Sequence, residues 1–150
     1  MPIVPERELV QGVYTLRDMR LPHDTKLTRQ SLLRWFCLSV GLLSEDETRQ
    51  SVIPVIDALL EFQLKEKRDP TVKELAERSK EPEKAVRYHV GRMRDIGLVE
   101  DDGRKYRVRR DAFSNKLDLV KSFREHVEPR VTKSFATIED ALAELQRQYS

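Results

Sequence analysis

Apolar positions recur with a helical period over most of this chain. Val52, Val55, Ile56, Leu59, Leu60 and Leu64 repeat three and four apart, which predicts a helix with one apolar face starting near Ser51. Pro54 falls in its first turn, where a missing N–H costs little, and Pro70 after KEKRD stops it. Upstream, residues 28–43 are apolar around most of a helical circumference and include Trp35 and Phe36. Such a helix is buried, in the core or against another chain. Ser44-Glu-Asp-Glu47 fits a capping box ahead of the helix near Ser51. Thr71-Val-Lys-Glu74 is a second box, opening a short helix to about Ser79 with Val72, Leu75 and Ala76 inward.

Lys80-Glu81 then makes a tight turn, and Pro82 suits the first position of a helix running to Ile96. Gly97 closes that helix as a left-handed residue would. Residues 98–100 and 105–109 are strand-like around Asp102-Gly103, a two-residue hairpin signal. Near the start of the chain a short strand is expected around residues 9–16, followed by a turn at 21–24. At the other end Leu117, Val120, Phe123 and Val127 repeat at three or four until Pro129, and Val131, Phe135, Ile138, Leu142, Leu145 and Tyr149 continue the pattern. Two helices are expected there, or one kinked at Pro129, with Thr137 as another possible helix start.

The chain has 150 residues, 39% hydrophobic and 36% charged, which fits a soluble globular protein of about one domain. The apolar-rich run at 31–43 is shorter than the ~20 residues of a bilayer span and contains Arg34, so no membrane association is expected. The N-terminus has no secretory pattern, and Cys37 is alone, which together predict a cytoplasmic chain. Net charge is only +2, but it is unevenly spread: residues 80–110 hold ten basic and six acidic side chains, and the segments on either side are each near neutral. A local basic patch of this kind is what a polyanion requires.

The helix at 82–96 shows where that charge points. At 100° per residue Val86, Val90 and Met93 share one face, with His89 and Ile96 beside it. Lys84, Tyr88, Gly91 and Asp95 centre the opposite face, with Arg87 and Arg92 on its flanks. Arg pairs with guanine edges in a major groove and Tyr reaches phosphate. Gly91 sits where a backbone would approach DNA or a partner most closely. A mid-helix Gly costs about 0.5–1 kcal/mol relative to Ala, so it asks for a reason. In the hairpin Tyr106 and Val108 alternate with Lys105, Arg107 and Arg109, with Arg104 at the tip. That arrangement suits a phosphate backbone or a minor groove. The plain reading of any one of these cations is a solvated surface charge.

PTVKELAERS (70–79), PEKAVRYHVGRMRDIGLVE (82–100) and DDGRKYRV (101–108) together resemble the winged helix-turn-helix domain of archaeal and bacterial transcription regulators of the ArsR and MarR kind. The resemblance implies a mainly α fold with a small β-hairpin wing, flanked by N- and C-terminal helices. Its parts are an N-terminal extension at 1–44, the winged domain at 45–110 and a C-terminal dimerisation segment at 111–150. It implies sequence-specific binding of double-stranded DNA by a homodimer. Lys84, Arg87, Tyr88, Gly91 and Arg92 would face the major groove, and Arg104, Lys105 and Arg107 would lie on the backbone. The related regulators commonly pair through helices flanking the wing domain, which would put Trp35, Ile138, Leu142, Leu145 and Tyr149 in the dimer interface. The simpler alternative is that the C-terminal pattern packs onto the helix at 28–43.

Two features depart from the family pattern. Glu81-Pro82 stands where a Ser or Thr usually caps the recognition helix, and Glu81, Glu83 and Asp95 would repel phosphate. They keep open a second reading, a winged-helix module that binds protein in a replication or chromosome-maintenance assembly. An enzyme is not expected. No Gly-rich phosphate loop, catalytic triad signature or carboxylate pair can be placed, and neither a metal nor a cofactor is expected, since His23, His89 and His126 have no ligand spacing. Cys37, inside an apolar helix, reads as inert core, and Glu45-Asp-Glu47 as helix N-terminal charge.

Overall fold

A computed structural model describes residues 5–22, 27–47, 49–110, 113 and 116–150; the turn expected at 21–24 lies partly outside the described residues, as does His23. The chain divides into two compact units, Met1–Val108 and Arg109–Ser150. The described residues are mainly helical, with one small antiparallel hairpin.

The first unit begins with one helical turn, α1 (Glu6–Leu9), followed by irregular chain. The strand expected at 9–16 does not form. A strand needs a neighbour for its N–H and C=O groups, and the apolar Leu9, Val10, Val13 and Leu16 of this segment are exposed. Helix α2 (Arg29–Ser39) opens on a reciprocal cap in which the Thr28 hydroxyl accepts from Ser31 N and the Ser31 hydroxyl accepts from Thr28 N. Its far end is held by two distant arginines. Arg17 Nη1 donates to the carbonyls of Leu38 and Leu43, each at 2.9 Å, and Arg92 donates to those of Gly41 and Leu42. The chain turns there on Gly41, at φ +78°, where any Cβ would press into Thr15.

Ser44 and Glu47 do pair, Ser44 N donating to Glu47 Oε1 at 3.1 Å, but within a turn. Helix α3 (Val52–Leu60) starts where Pro54 allows it and buries Val52, Ile53, Val55, Ile56, Ala58 and Leu59. It runs on into a π-helical turn, Glu61–Lys65, which buries Gln63. That amide has its hydrogen-bonding atoms engaged: Nε2 donates to Arg68 O and Asp69 Oδ1, both at 2.8 Å, and Oε1 accepts from Val108 N at 2.9 Å. The last bond pins the hairpin to the π-helical turn that extends α3.

Helix α4 (Val72–Ser79) carries the capping box expected from sequence, with Thr71 and Glu74 bonded reciprocally. Lys80 ends it in the left-handed region at φ +62°, and α5 (Glu83–Asp95) follows Pro82 without a side-chain cap. Gly97, at φ +82°, closes α5, and Leu98 N donates to Met93 O at 3.0 Å. Strands β1 (Val99–Asp101) and β2 (Tyr106–Val108) pair antiparallel, with Glu100 opposite Arg107 and Asp101 opposite Tyr106. Thr71 bridges to Lys105, so the chain before α4 lies along the hairpin edge. The core of this unit joins Leu33 and Cys37 of α2, the buried face of α3, Leu75, Val86, Val90, Met93, Val99 and Val108.

The hairpin loop is longer than the two residues expected. Residues 102–105 form it, because Asp102 folds its carboxylate back to accept from Arg104 N at 3.0 Å and Lys105 N at 2.9 Å. Gly103 takes φ +93°.

The second unit is built on one continuous helix, α6 (Leu119–Gln148), which opens with Asp118 accepting from Lys121 N. Pro129 does not end it. Arg130 Nη1 donates to the His126 carbonyl at 2.8 Å, adding a bond in the turn where Pro129 has no N–H to give. Thr137 does not start a separate helix, since its hydroxyl bonds back to the Lys133 carbonyl at 3.0 Å. Among the described residues no helix is long and apolar enough to cross a membrane.

Candidate nucleic-acid interface

Helix α5 buries Val86, His89, Val90 and Met93, which fixes what its other side presents. Lys84, Arg87 and Tyr88 are exposed, and Gly91 is half-exposed. Tyr88 keeps 61% of its surface in solvent. At the hairpin tip Arg104 and Lys105 are exposed as well.

The basic residues divide by how they are held. Arg107 reaches across the hairpin to Glu100 at 2.8 Å, and Arg94 pairs with Asp101 at 3.1 Å. Arg87 stands 3.9 Å from Glu83, one helical turn back, with both side chains more than half exposed, so that pair is weak. Lys84, Arg104 and Lys105 form no ion pair among the described residues. All three side chains are exposed, and the Lys105 charge also acts on the neighbouring Asp102 carboxylate.

Arg92 is not on the presented face as expected from the helical wheel. Its guanidinium passes over the Tyr88 ring, 5.7 Å from the centroid, and ends on the Gly41 and Leu42 carbonyls. A flank position on a helix faces whichever neighbour offers acceptors, and here the end of α2 does. Arg107 is likewise committed, to Glu100. Trp35, expected at a dimer interface, is half-buried and donates its Nε1–H to the Arg20 carbonyl at 2.9 Å in its own chain. Ile138, Leu142 and Leu145 on α6, and Tyr149 just past its end, are all exposed.

Among the described residues nothing packs closely enough on Gly91 to require a glycine there. A Cβ built there meets only the end of the Arg94 side chain, at 3.9 Å. Gly91→Ala should therefore stabilise the fold by about 0.5–1 kcal/mol, the helix-propensity difference. If α5 lies against a nucleic-acid backbone, the same change should weaken duplex binding. Chemical denaturation and a binding titration on the one variant check both signs.

Burial pushes the Cys37 thiol up to about 12, which keeps it protonated. No cluster of three or more potential metal ligands occurs among the described residues. His89 shares a 2.7 Å hydrogen bond with the Ser51 hydroxyl at the start of α3. Burial, helped by the Arg92 charge, lowers its pKa from the ordinary 6.5, against the pull of Glu47 and Glu81.

The unfolded chain therefore binds the His89 proton more readily than the folded one. That part of the stability is complete above about pH 6.5 and is lost as pH falls below it. His126, lowered by burial, Arg109 and Arg130, acts in the same direction. Glu66, Glu74 and Asp102, all lowered by hydrogen bonds, add acid sensitivity only in the carboxylate range near pH 4. The urea midpoint should fall between pH 7.5 and 5.5, and should fall less in His89→Gln. An equal fall in both proteins would remove His89 from the account.

No protein-family model matches the sequence, and no curated protein matches it.

Proposed function

We propose that this chain is a winged helix-turn-helix protein of the ArsR and MarR kind that binds double-stranded DNA without catalysis. In this reading residues 45–110 are the winged domain, α5 is the recognition helix in the major groove and the hairpin is the wing on the backbone. The chain acts as a homodimeric transcription regulator in the cytoplasm of an archaeon or bacterium, and needs no cofactor. The observation that carries the reading is the exposure of Lys84, Arg104 and Lys105 without ion-pair partners, beside an exposed Tyr88 and a Gly91 that its own fold does not need. The helix–turn–helix–hairpin order and the Thr71–Lys105 bridge support the fold assignment.

The contacts expected of Arg92 and Arg107 pass to Lys84, Arg87, Arg104 and Lys105. Glu83, 3.9 Å from Arg87, favours the second reading, a winged-helix module whose surface meets a protein of mixed charge.

The test is binding to a labelled random-sequence duplex across a salt series. A steep fall of log affinity with log salt is expected, because cations that neutralise phosphates release counterions. No binding even at low salt would transfer the surface to a protein partner.

A further inference from the structure

Beyond Pro129, helix α6 carries an apolar stripe that its own unit leaves open. Phe135 is 65% exposed, Ile138 59%, Leu142 58%, Leu145 49% and Tyr149 86%. With Val131 the intervals run 4-3-4-3-4, the period of a coiled-coil seam. Phe135, Leu142 and Tyr149 take position a of the heptad, and Val131, Ile138 and Leu145 take position d.

The charges are arranged around that seam. Lys133, Asp140 and Arg147 all fall at f, the position farthest from it, and Glu144 at c pairs sideways with Arg147. The positions bordering the seam are nearly uncharged: Ser134, Ala141 and Gln148 at g, Thr132 and Gln146 at e. Glu139, at e, is the one bordering charge.

We propose that residues 131–149 of α6 pair with the same segment of a second copy, in register and parallel. This rests on the homodimeric reading above and on the C-terminal positions expected from the sequence, and adds the register and direction of the pairing. A second copy fits because an identical neutral border brings no like charges together when the helices run the same way. Position g of one helix then meets e of the other, setting Ser134 against Glu139 and Ala141 against Gln146. Run antiparallel, e faces e, and Glu139 would meet its own copy. Trp35, whose indole N–H is used within its own chain, is outside this interface.

Light scattering on the full chain is expected to give about twice its 17.6 kDa mass, and Leu142→Glu is expected to give the single mass. Direction is read by Tyr149→Cys under mild oxidation. Parallel helices bring the two Cys residues together, so a disulfide-linked dimer is expected. Antiparallel helices hold them about 27 Å apart, from an 18-residue rise. Wild type is the control, since Cys37 is buried.

A single-mass wild type overturns the pairing, and a dimer that does not cross-link overturns the direction. A trimer or larger form overturns the two-stranded seam. The salt-dependent duplex titration on the same wild-type sample separates these failures from failure of the DNA-binding reading. A monomer that still binds duplex refutes only the seam, and a cross-linked dimer that binds none refutes only the DNA reading.

Discussion

Lys84→Ala, Arg104→Ala and Lys105→Ala together are expected to flatten the salt dependence of duplex binding by roughly 3 log units of affinity per log unit of salt for each chain. Each phosphate contact contributes a slope of about 0.9 through counterion release. Carried from 1 M to 0.1 M salt, the same loss weakens binding by about two to three decades. Stability should move by less than about 0.5 kcal/mol, because all three side chains are exposed and none is in an ion pair among the described residues. Arg107→Ala is the matched control. It removes the same kind of charge from the same hairpin, but one already spent on Glu100, so its slope should change far less. If the triple variant keeps the wild-type slope, α5 and the hairpin do not touch phosphate.

The features legible in the sequence are those decided within a few residues. The Thr71–Glu74 box, the Gly97 closure and the inward face of α5 each depend on neighbours one helical turn away, and each formed as read. The hairpin was legible in place but not in loop length, because the bend of the Asp102 carboxylate onto two amides is a choice among local options. The strand expected at 9–16 failed for a different reason. Scattered apolar residues do not say whether a second strand is there to meet the first.

The candidate site was legible in the same uneven way. The helical period separated Lys84 and Tyr88 from the buried Val86 and Val90, which is a matter of angle alone. It could not separate Arg87 from Arg92, which flank the same face. Arg92 bonds to carbonyls fifty and fifty-one residues earlier in the chain, and Gln63 to an amide forty-five residues later. Main-chain acceptors carry no residue-type signal, so such a clamp leaves no trace in the sequence.

That distinction makes Arg92→Ala the second large effect, and an effect on stability first. The guanidinium donates to both the Gly41 and Leu42 carbonyls in a half-buried setting. Hydrogen bonds from a charged group contribute about 1.5–3 kcal/mol each, and solvent at this edge takes back part of that. The expected cost is about 2–3 kcal/mol, read as a lower urea midpoint at unchanged slope. Arg92→Lys should recover only part of it, because an ammonium lacks the fork that spans two carbonyls. The Arg92 charge also helps to lower the pKa of His89. Without it His89 titrates closer to 6.5, the folded and unfolded chains differ less in proton uptake, and the stability lost between pH 7.5 and 5.5 should shrink. A residue that only filled space would lower stability without changing that pH dependence. Duplex binding by the fraction still folded should keep most of the wild-type salt slope. A loss of slope as large as in the triple variant would put Arg92 back on the DNA-facing surface.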